Sequence, residues 1–311
     1  MHAVLIENPL AGKNTPGSIR VAERALEATF ELERVTTNAR GHAASLAREA
    51  VDAGAKTVIA YGGDGTVNEV INGLLTGTDS SPVTLAVLPG GTTNVLARSL
   101  GFENDLVEAT AQLISIVERG EPRPLTVGRI NAEADHGHVQ RDFAFAAGVV
   151  LDAEVVRRVE GERRRPRWND AVFVYHGFRS FGELRREGTP HLHIDTPDGT
   201  QDAYWACIAT VHPFTFFRKR PLRVVPDAGK TRGLDLVASK QARFWTTLRW
   251  VQQSLTTGRH VRHPDCVQIS DASEIVIRAD RPVPLQTDGE LVGDVTSVVA
   301  RPLLDALSVW A

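Results

Sequence analysis

Apolar residues are patterned in two different ways along this chain. In the first third, short continuous apolar runs alternate with apolar residues at three- and four-residue spacing. Ala3-Val4-Leu5-Ile6 predicts a buried strand, and Ile19, Ala22, Leu26 and Phe30 share one face of a helix over Ser18–Thr29. Leu32–Thr36 predicts a second strand, Ala43–Ala53 a second helix, and the β-branched run Thr57–Ala60 a third strand. Val67, Val70, Ile71, Leu74 and Leu75 then continue as a helix, followed by a strand at Val83–Leu88 and helices at Val95–Leu100 and Leu106–Glu118. Repeated strand–helix units predict a parallel sheet covered by helices, three layers in all, with ligands at the carboxyl ends of the strands.

After Gly120-Glu121-Pro122-Arg123-Pro124 the pattern becomes short alternating segments: Thr126–Asn131, Asp142–Ala146, His191–Asp195, Ala203–Val211, Asp235–Ala238, Cys266–Ser270 and Glu274–Ala279. Turn residues such as Thr196-Pro197-Asp198-Gly199 separate them, which predicts a mainly antiparallel sandwich. Two helical segments interrupt it, Trp168–Glu187 and Phe244–Thr256. Ser297–Trp310 is apolar again and is a candidate to pack back on the first domain. The expected domains are 1–122, with 300–311 as a candidate to complete it, and 123–299.

Composition narrows the class without naming it. With 311 residues the chain can bury a large core, and 42% hydrophobic with 23% charged residues is ordinary for a globular protein. A net charge of −3 gives no signature of a nucleic-acid binder. Of the two cysteines, Cys207 lies in the apolar run Tyr204–Ile208, which predicts a buried thiol rather than a disulfide or metal ligand. The opening residues lack the basic region and long apolar run of a signal peptide, and no run reaches the length of a membrane span. The expectation is a cytoplasmic protein of unreadable oligomeric state.

The chemistry is carried by the turns. Gly62-Gly63-Asp64-Gly65-Thr66, followed by Asn68-Glu69, joins the Thr57–Ala60 strand to a helix. Glycines without Cβ atoms let backbone N–H groups converge on an anion, and the helix N-terminus favours negative charge there. The carboxylate of Asp64 would repel a phosphate unless a metal or a proton transfer accounts for it, which points to a kinase. With turn chemistry alone, Asp64 would instead be a helix N-cap. Asn8-Pro9-Leu10-Ala11-Gly12, the segment Thr36–Ala43 and Pro89-Gly90-Gly91-Thr92-Thr93-Asn94 would singly be ordinary turns. Their order after successive strands argues for a shared crevice.

With these motifs assembled, the chain resembles the diacylglycerol kinase catalytic family, which includes bacterial lipid kinases, sphingosine kinases and ceramide kinases. The matching pieces are Asn-Pro-x-Ala-Gly, Thr37…Gly41-His42-Ala43, Gly-Gly-Asp-Gly-Thr-x-Asn-Glu, Pro-Gly-Gly-Thr-x-Asn and, far downstream, Asp288-Gly289-Glu290. The resemblance implies an ATP-binding α/β domain, a β-sandwich lipid domain, an active site in the cleft between them, and transfer of the γ-phosphoryl group to a lipid hydroxyl. Diacylglycerol, giving phosphatidic acid in phospholipid biosynthesis, is the first substrate expected. It also implies Glu290 as proton acceptor and Asp64 as organiser of Mg²⁺–ATP, although Asp64 matches the aspartate assigned the acceptor role in sphingosine kinases. The nucleotide residues it suggests are Asn8, Thr37, Gly62, Gly63, Asp64, Gly65, Thr66, Asn68, Glu69, Gly91, Thr92 and Asn94. An Asp-Gly pair is also a strong hairpin signal, so Asp288-Gly289 would read as a surface turn without the other motifs.

Two positions depart from the family pattern. Val95 stands where some bacterial members carry an acidic residue, and Arg232 stands at an aspartate that helps hold a structural Mg²⁺. Both point to loss of that accessory metal site, with the Arg232 guanidinium replacing its charge beside Asp64 or another carboxylate. Residues 157–167 hold six arginines against two glutamates, and His212–Arg220 sets aromatics beside Arg218, Lys219 and Arg220. Basic residues beside exposed aromatics suit an anionic bilayer at the inner membrane surface; a solvated loop beside a core strand is the plainer alternative. The rival functions are an NAD kinase, which shares the Gly-Gly-Asp-Gly turn but not the second glycine motif, and a catalytically silent lipid-binding regulatory protein. RNA binding has no motif to support it.

Overall fold

The computed structural model of the chain describes residues 1–11, 14–76, 83–135, 137–161, 170–188, 191–217 and 220–311. These divide into two units, Met1–Val127 with Leu304–Ala311, and Gly128–Leu303. Among the described residues, no helix is long and apolar enough to cross a membrane.

The first unit alternates β1 (His2–Glu7), α1 (Pro16–Thr29), β2 (Glu31–Thr36), α2 (His42–Asp52), β3 (Thr57–Gly62), α3 (Asp64–Leu75), β4 (Thr84–Pro89), α4 (Val95–Ser99) and α5 (Leu106–Arg119). The strands lie in the order β2-β1-β3-β4 and are all parallel, with Ala3 opposite Leu32 and Thr57, and Thr57 opposite Thr84. Every residue of β3 and β4 is buried, which explains why they read as continuous apolar runs rather than alternating ones. Local signals set the helix ends. Thr15 accepts the Ser18 N–H ahead of Pro16, Asp105 accepts the N–H groups of Val107 and Glu108, and Gly120 closes α5 in the left-handed region at φ 74°. The end of the chain returns here: Ser308 and Val309 pair in parallel with Thr84 and Leu85, and the Trp310 indole donates to Thr57 Oγ1 at 3.2 Å.

The second unit follows β5 (Arg123–Ala134), whose start lies in the first. It contains β6 (Gly137–Phe143), β7 (Ala146–Val149), α6 (Leu151–Gly161), α7 (Asp170–Glu187), β8 (Leu192–Thr196), β9 (Gly199–Ala203), β10 (Trp205–Ala209), β11 (Thr215–Phe217), β12 (Arg220–Leu222), β13 (Leu234–Ser239), α8 (Phe244–Ser254), β14 (Cys266–Ala272), β15 (Ile275–Thr287) and β16 (Glu290–Val309), the last strand ending in the first unit. The order is β14-β13-β10-β7-β15-β16, and β13–β14, β10–β13, β7–β10, β7–β15 and β15–β16 are antiparallel. β15 changes partners along its length: Ile277–Ala279 pair with β8, whereas Leu285–Thr287 pair with β7. A register shift lies between Arg278 and Val283. Such an irregularity bends a strand, and here it lets the strands stack as a sandwich around Phe143, Ile194, Ile208, Leu236, Ile277 and Leu285.

Several expected elements differ in detail. The single strand expected over Asp142–Ala146 is two strands, interrupted at Ala144-Phe145, because a distant carboxylate captures the backbone N–H groups there. The helix α6 was not anticipated, although Ala153, Val156 and Val159 are its buried face. β15 and β16 run far beyond the short segment expected at Glu274–Ala279. Cys207 is a free, buried thiol, as its apolar surroundings predict.

Candidate active site

The carboxyl ends of β1 to β4 lie along one edge of the parallel sheet, and the glycine-rich turns lie there with them. Gly90 N–H donates to the Gly62 carbonyl at 2.8 Å, joining the two turns. A Cβ on Gly91 would lie 2.7 Å from Gly63 Cα, and one on Gly90 would lie 2.9 Å from Gly62 Cα. A Cβ on Gly62 would meet the Thr66 side chain at 2.6 Å. The glycines are therefore required for the turns to pack on each other, before any ligand is considered. Gly91→Ala should force the turns apart, weakening nucleotide binding at least about tenfold and stability by about 1–3 kcal/mol. Calorimetric titration with ATP and an unfolding curve would check both; unchanged ATP affinity would count against the role given to this contact.

Polar side chains complete the joint. Asp64 is the first residue of α3, not its cap; Gly63 occupies the cap and supplies no side-chain hydrogen bond. Asp64 Oδ1 instead accepts the Val95 N–H at 2.6 Å, so the carboxylate fixes the start of α4. Asn94, buried at φ 50°, closes its own loop: Oδ1 accepts Gly91 N–H at 2.8 Å, and Nδ2 donates to Gly91 O and to Asn104 Oδ1. Asn8 Nδ2 donates to Thr66 Oγ1 at 2.9 Å, tying β1 to the first turn of α3. Glu69 accepts the N–H groups of Gly41 and Ala43, so it caps α2 from a neighbouring helix. Asn68 is buried and accepts from Asn72, while Thr37 is buried at the end of β2 with its N–H on Glu7 O. Gly63, Asp64 and Gly65 are partly open and Thr92 is exposed, which leaves these four facing solvent on the edge.

These positions sort the residues expected to bind nucleotide. Asn8 and Asn94 have side chains engaged in building the turns, Asn68 is bonded within α3 and Glu69 at the start of α2, whereas Gly63, Gly65 and Thr92 remain open to solvent. Gly12, next to this turn, lies outside the described residues. Sequence reading missed Asn104 and Arg98. Arg98 lies in the last turn of α4, where burial lowers its pKa and the nearby Asp64 and Glu103 carboxylates oppose that shift. Its position four residues after Asn94 was a usable signal; Asn104, ten residues away, offered none.

In the second unit, Asp288-Gly289 is indeed a two-residue hairpin turn, with φ 50° and 80° and with Thr287 paired to Glu290. It is not a plain surface turn. Asp288 is buried, and its carboxylate accepts three backbone N–H groups: Ala144 at 2.6 Å, and Phe145 and Ala146 at 3.0 Å each. Glu290 follows directly, its side chain mostly covered and 3.8 Å from Arg141 Nη2. Arg141 adjoins Asp142, which forms a bidentate pair with Arg129, both bonds 2.7 Å.

The surfaces expected to meet lipid are altered. Of the arginine-rich segment, Arg157 and Arg158 belong to α6 and are paired, Arg157 with Asp294 and Arg158 with Glu154 and Glu183. Residues 162–167, including Arg163–Arg165, lie outside the described residues, as do Arg218 and Lys219. Phe214 is a core residue, and Phe216 and Phe217 are half-buried, so that cluster is closer to a core strand than to an exposed aromatic belt. Arg232 is exposed in the turn before β13, and Asp235 behind it is buried, its pKa raised chiefly by that burial. Among the described residues, no group of three or more acidic, histidine or cysteine side chains is arranged to hold a metal.

Glycine turns at the strand ends of a parallel sheet, with a sandwich unit carrying an acidic hairpin, are the arrangement expected of a phosphotransferase of the kinase class. Comparison with known proteins agrees. Residues 2–130 match the diacylglycerol kinase catalytic domain, and residues 145–310 match the YegS C-terminal NAD kinase beta sandwich-like domain. A Bacillus subtilis diacylglycerol kinase is 37% identical over 134 residues, covering 42% of each chain. A Staphylococcus saprophyticus diacylglycerol kinase is 24% identical over 297 residues, 94% of this chain and 89% of its own. The crystal structure of a diacylglycerol kinase from Bacillus anthracis has the same fold, with a TM-score of 0.67 at 19% identity over 99% of this chain and 96% of that one. The chain belongs to the diacylglycerol kinase catalytic family and is an ATP-dependent lipid kinase.

Proposed function

We propose that this lipid kinase transfers the γ-phosphoryl group of Mg²⁺–ATP to the hydroxyl of diacylglycerol, giving phosphatidic acid for phospholipid biosynthesis. The observation that carries the reading is the pair of glycine turns locked together at the strand ends, with Gly63, Gly65 and Thr92 left open to an anion. Residues 1–122 with 300–311 act as the nucleotide domain and 123–299 as the lipid domain. In the reaction the γ-phosphorus bonds to the lipid oxygen, its bond to the β-phosphate oxygen breaks, ADP leaves, and Glu290 accepts the hydroxyl proton. Backbone N–H groups of the Gly62–Thr66 turn hold phosphate oxygens, and Asp64 keeps the second turn in register. Bound with ATP, Mg²⁺ would offset the charge on the phosphates; the Asp64 carboxylate, whose Oδ1 already holds the Val95 N–H, fits an ion that arrives with the nucleotide. Arg232 in place of an aspartate fits the loss of a further structural ion. The test is a labelled-ATP assay with diacylglycerol, monoacylglycerol, ceramide and sphingoid bases in mixed micelles, and with NAD. Labelled phosphatidic acid is the expected product; labelling of NAD alone would overturn the proposal.

The reading places the protein in the cytoplasm, working at the inner membrane surface. Its support is a patch on α7 and α8, where Trp245 is 77% exposed, Tyr175 60% and Phe178 51%, joined by Val174, Leu248 and Val251. The Phe178 and Phe244 rings are 6.5 Å apart, so the two helices present these residues side by side. Exposed Arg243, which caps α8, and exposed Arg249 within it add positive charge next to the apolar groups, which suits an anionic bilayer. Trp245→Glu with Phe178→Glu should lower activity on anionic vesicles roughly tenfold or more, with activity on short-chain lipid in solution retained. Equal loss in both assays would reject the patch as a membrane contact.

A further inference from the structure

The hairpin that carries Glu290 is held from a second side, by residues that belong to no motif. Gln286, the penultimate residue of β15, is buried, and its Oε1 accepts the Gly289 N–H at 2.8 Å. Its Nε2 donates to Asp152 Oδ2 at 2.5 Å, in the first turn of α6. One side chain thus links that helix to the N–H of Gly289, the residue immediately before Glu290. Gly148 stands opposite Gln286 in the β7–β15 pairing. A Cβ there would lie 2.6 Å from Asp152 Oδ2 and 2.9 Å from Gln286 Nε2, so the bare glycine is a condition of the Asp152–Gln286 contact.

The joint between β7 and α6 is strained, which shows that the position of Asp152 is imposed. Val150 adopts φ 72°, in a region that a β-branched side chain rarely enters. Its N–H is held by Pro284 O at 2.9 Å, and its carbonyl accepts Glu154 N–H at 2.8 Å to begin α6. Asp152 is crowded by protein, and this burial pushes its carboxyl up to about 6, against the lowering effect of the Gln286 bond. Bringing a carboxylate to such a place is unfavourable, and the amide of Gln286 is its hydrogen-bond partner there. Asp288 grips the Ala144–Ala146 backbone and Gln286 grips Asp152, so the two-residue turn is clamped on both flanks.

We propose that Gln286 and Asp152 are positioning residues for phosphoryl transfer, setting the place of Glu290 through the Gly289 N–H. This rests on Glu290 being the base. Gln286→Met keeps the volume and removes both hydrogen bonds; Asp152→Ala removes the far anchor; Asp152→Asn keeps an oxygen that can accept from Gln286. Steady-state kinetics on the full chain, with diacylglycerol in mixed micelles, should show kcat reduced about 10- to 100-fold in Gln286→Met and Asp152→Ala. KM for ATP should be unchanged and the unfolding midpoint close to that of the parent. Asp152→Asn should recover most of kcat, and the double variant should be no slower than Gln286→Met alone, because both act through one chain of bonds. Near-parental kcat in folded Gln286→Met, or additive losses in the double variant, would overturn the proposal. If Gln286→Met does not fold, the comparison of Asp152→Ala with Asp152→Asn decides it: equal kcat in the two overturns it. An inactive parent protein, or an active Glu290→Gln, would instead mark the failure of the function or base assignment.

Discussion

Glu290→Gln will abolish the lipid-dependent consumption of ATP while leaving nucleotide binding in place. The amide matches the carboxylate in size and cannot take the proton of the attacking hydroxyl. Loss of a general base typically costs about 100- to 10,000-fold in rate. The side chain is mostly covered and near Arg141, so the substitution creates no cavity and takes the negative charge out of a 3.8 Å ion pair. Labelled phosphatidic acid formation and calorimetric titration with ATP should separate the two properties. Asp64→Asn is the informative companion: its amide oxygen can still accept the Val95 N–H, so it removes only the charge, and its effect should fall mainly on nucleotide affinity. If Asp64→Asn destroys kcat and Glu290→Gln does not, the two carboxylates exchange roles.

Asp288→Ala is expected to be the most damaging single change to the stability of the second unit. Its carboxylate satisfies three N–H groups in a buried place, and truncation leaves all three without that acceptor. Each unsatisfied buried donor costs about 1–3 kcal/mol, so the loss should be about 3–5 kcal/mol after partial rescue by water. Asp288→Asn should recover about half of it. Its oxygen can still serve Phe145 and Ala146, but its NH₂ group then faces the Ala144 N–H. Denaturant unfolding followed by tryptophan fluorescence, with a separate nucleotide-binding signal for the first unit, would measure the difference. A shift smaller than about 1 kcal/mol for Asp288→Ala would contradict the knot as the reason the turn is rigid.

Much of the site was legible because its signals are local. A β-branched run, a glycine turn and a helical spacing lie within the nineteen residues Thr57–Leu75, and each follows from backbone conformation and side-chain period. The motif set then identified the family, and the parallel and antiparallel parts of the fold followed from their different hydrophobic patterns. The individual roles were less legible. Asn94 and Glu69 look like ligand-binding groups in sequence, yet Asn94 is spent on Gly91 and Asn104, and Glu69 on the start of α2. Arg157 and Arg158 look like a solvated basic run, yet they pair with carboxylates from their own helix, from α7 and from β16.

By itself the sequence determined the two-part architecture, the order of the strand–helix units, the glycine turn at Gly62–Thr66 between a strand and a helix, and the family. Those properties depend on neighbours in the chain, whose geometry is set by bond rotation and steric exclusion. Only the tertiary structure decided what Asp64, Asp288 and Gln286 hold. Their partners lie 31, 142–144 and 134 residues away, at Val95, Ala144–Ala146 and Asp152. No local spacing encodes those separations. They exist because two glycine turns can approach to backbone contact, and because buried donors and carboxylates must find one another once water is excluded. Asp64 is thereby more than an unexplained charge in a glycine turn: it is an acceptor that holds the second turn to the first.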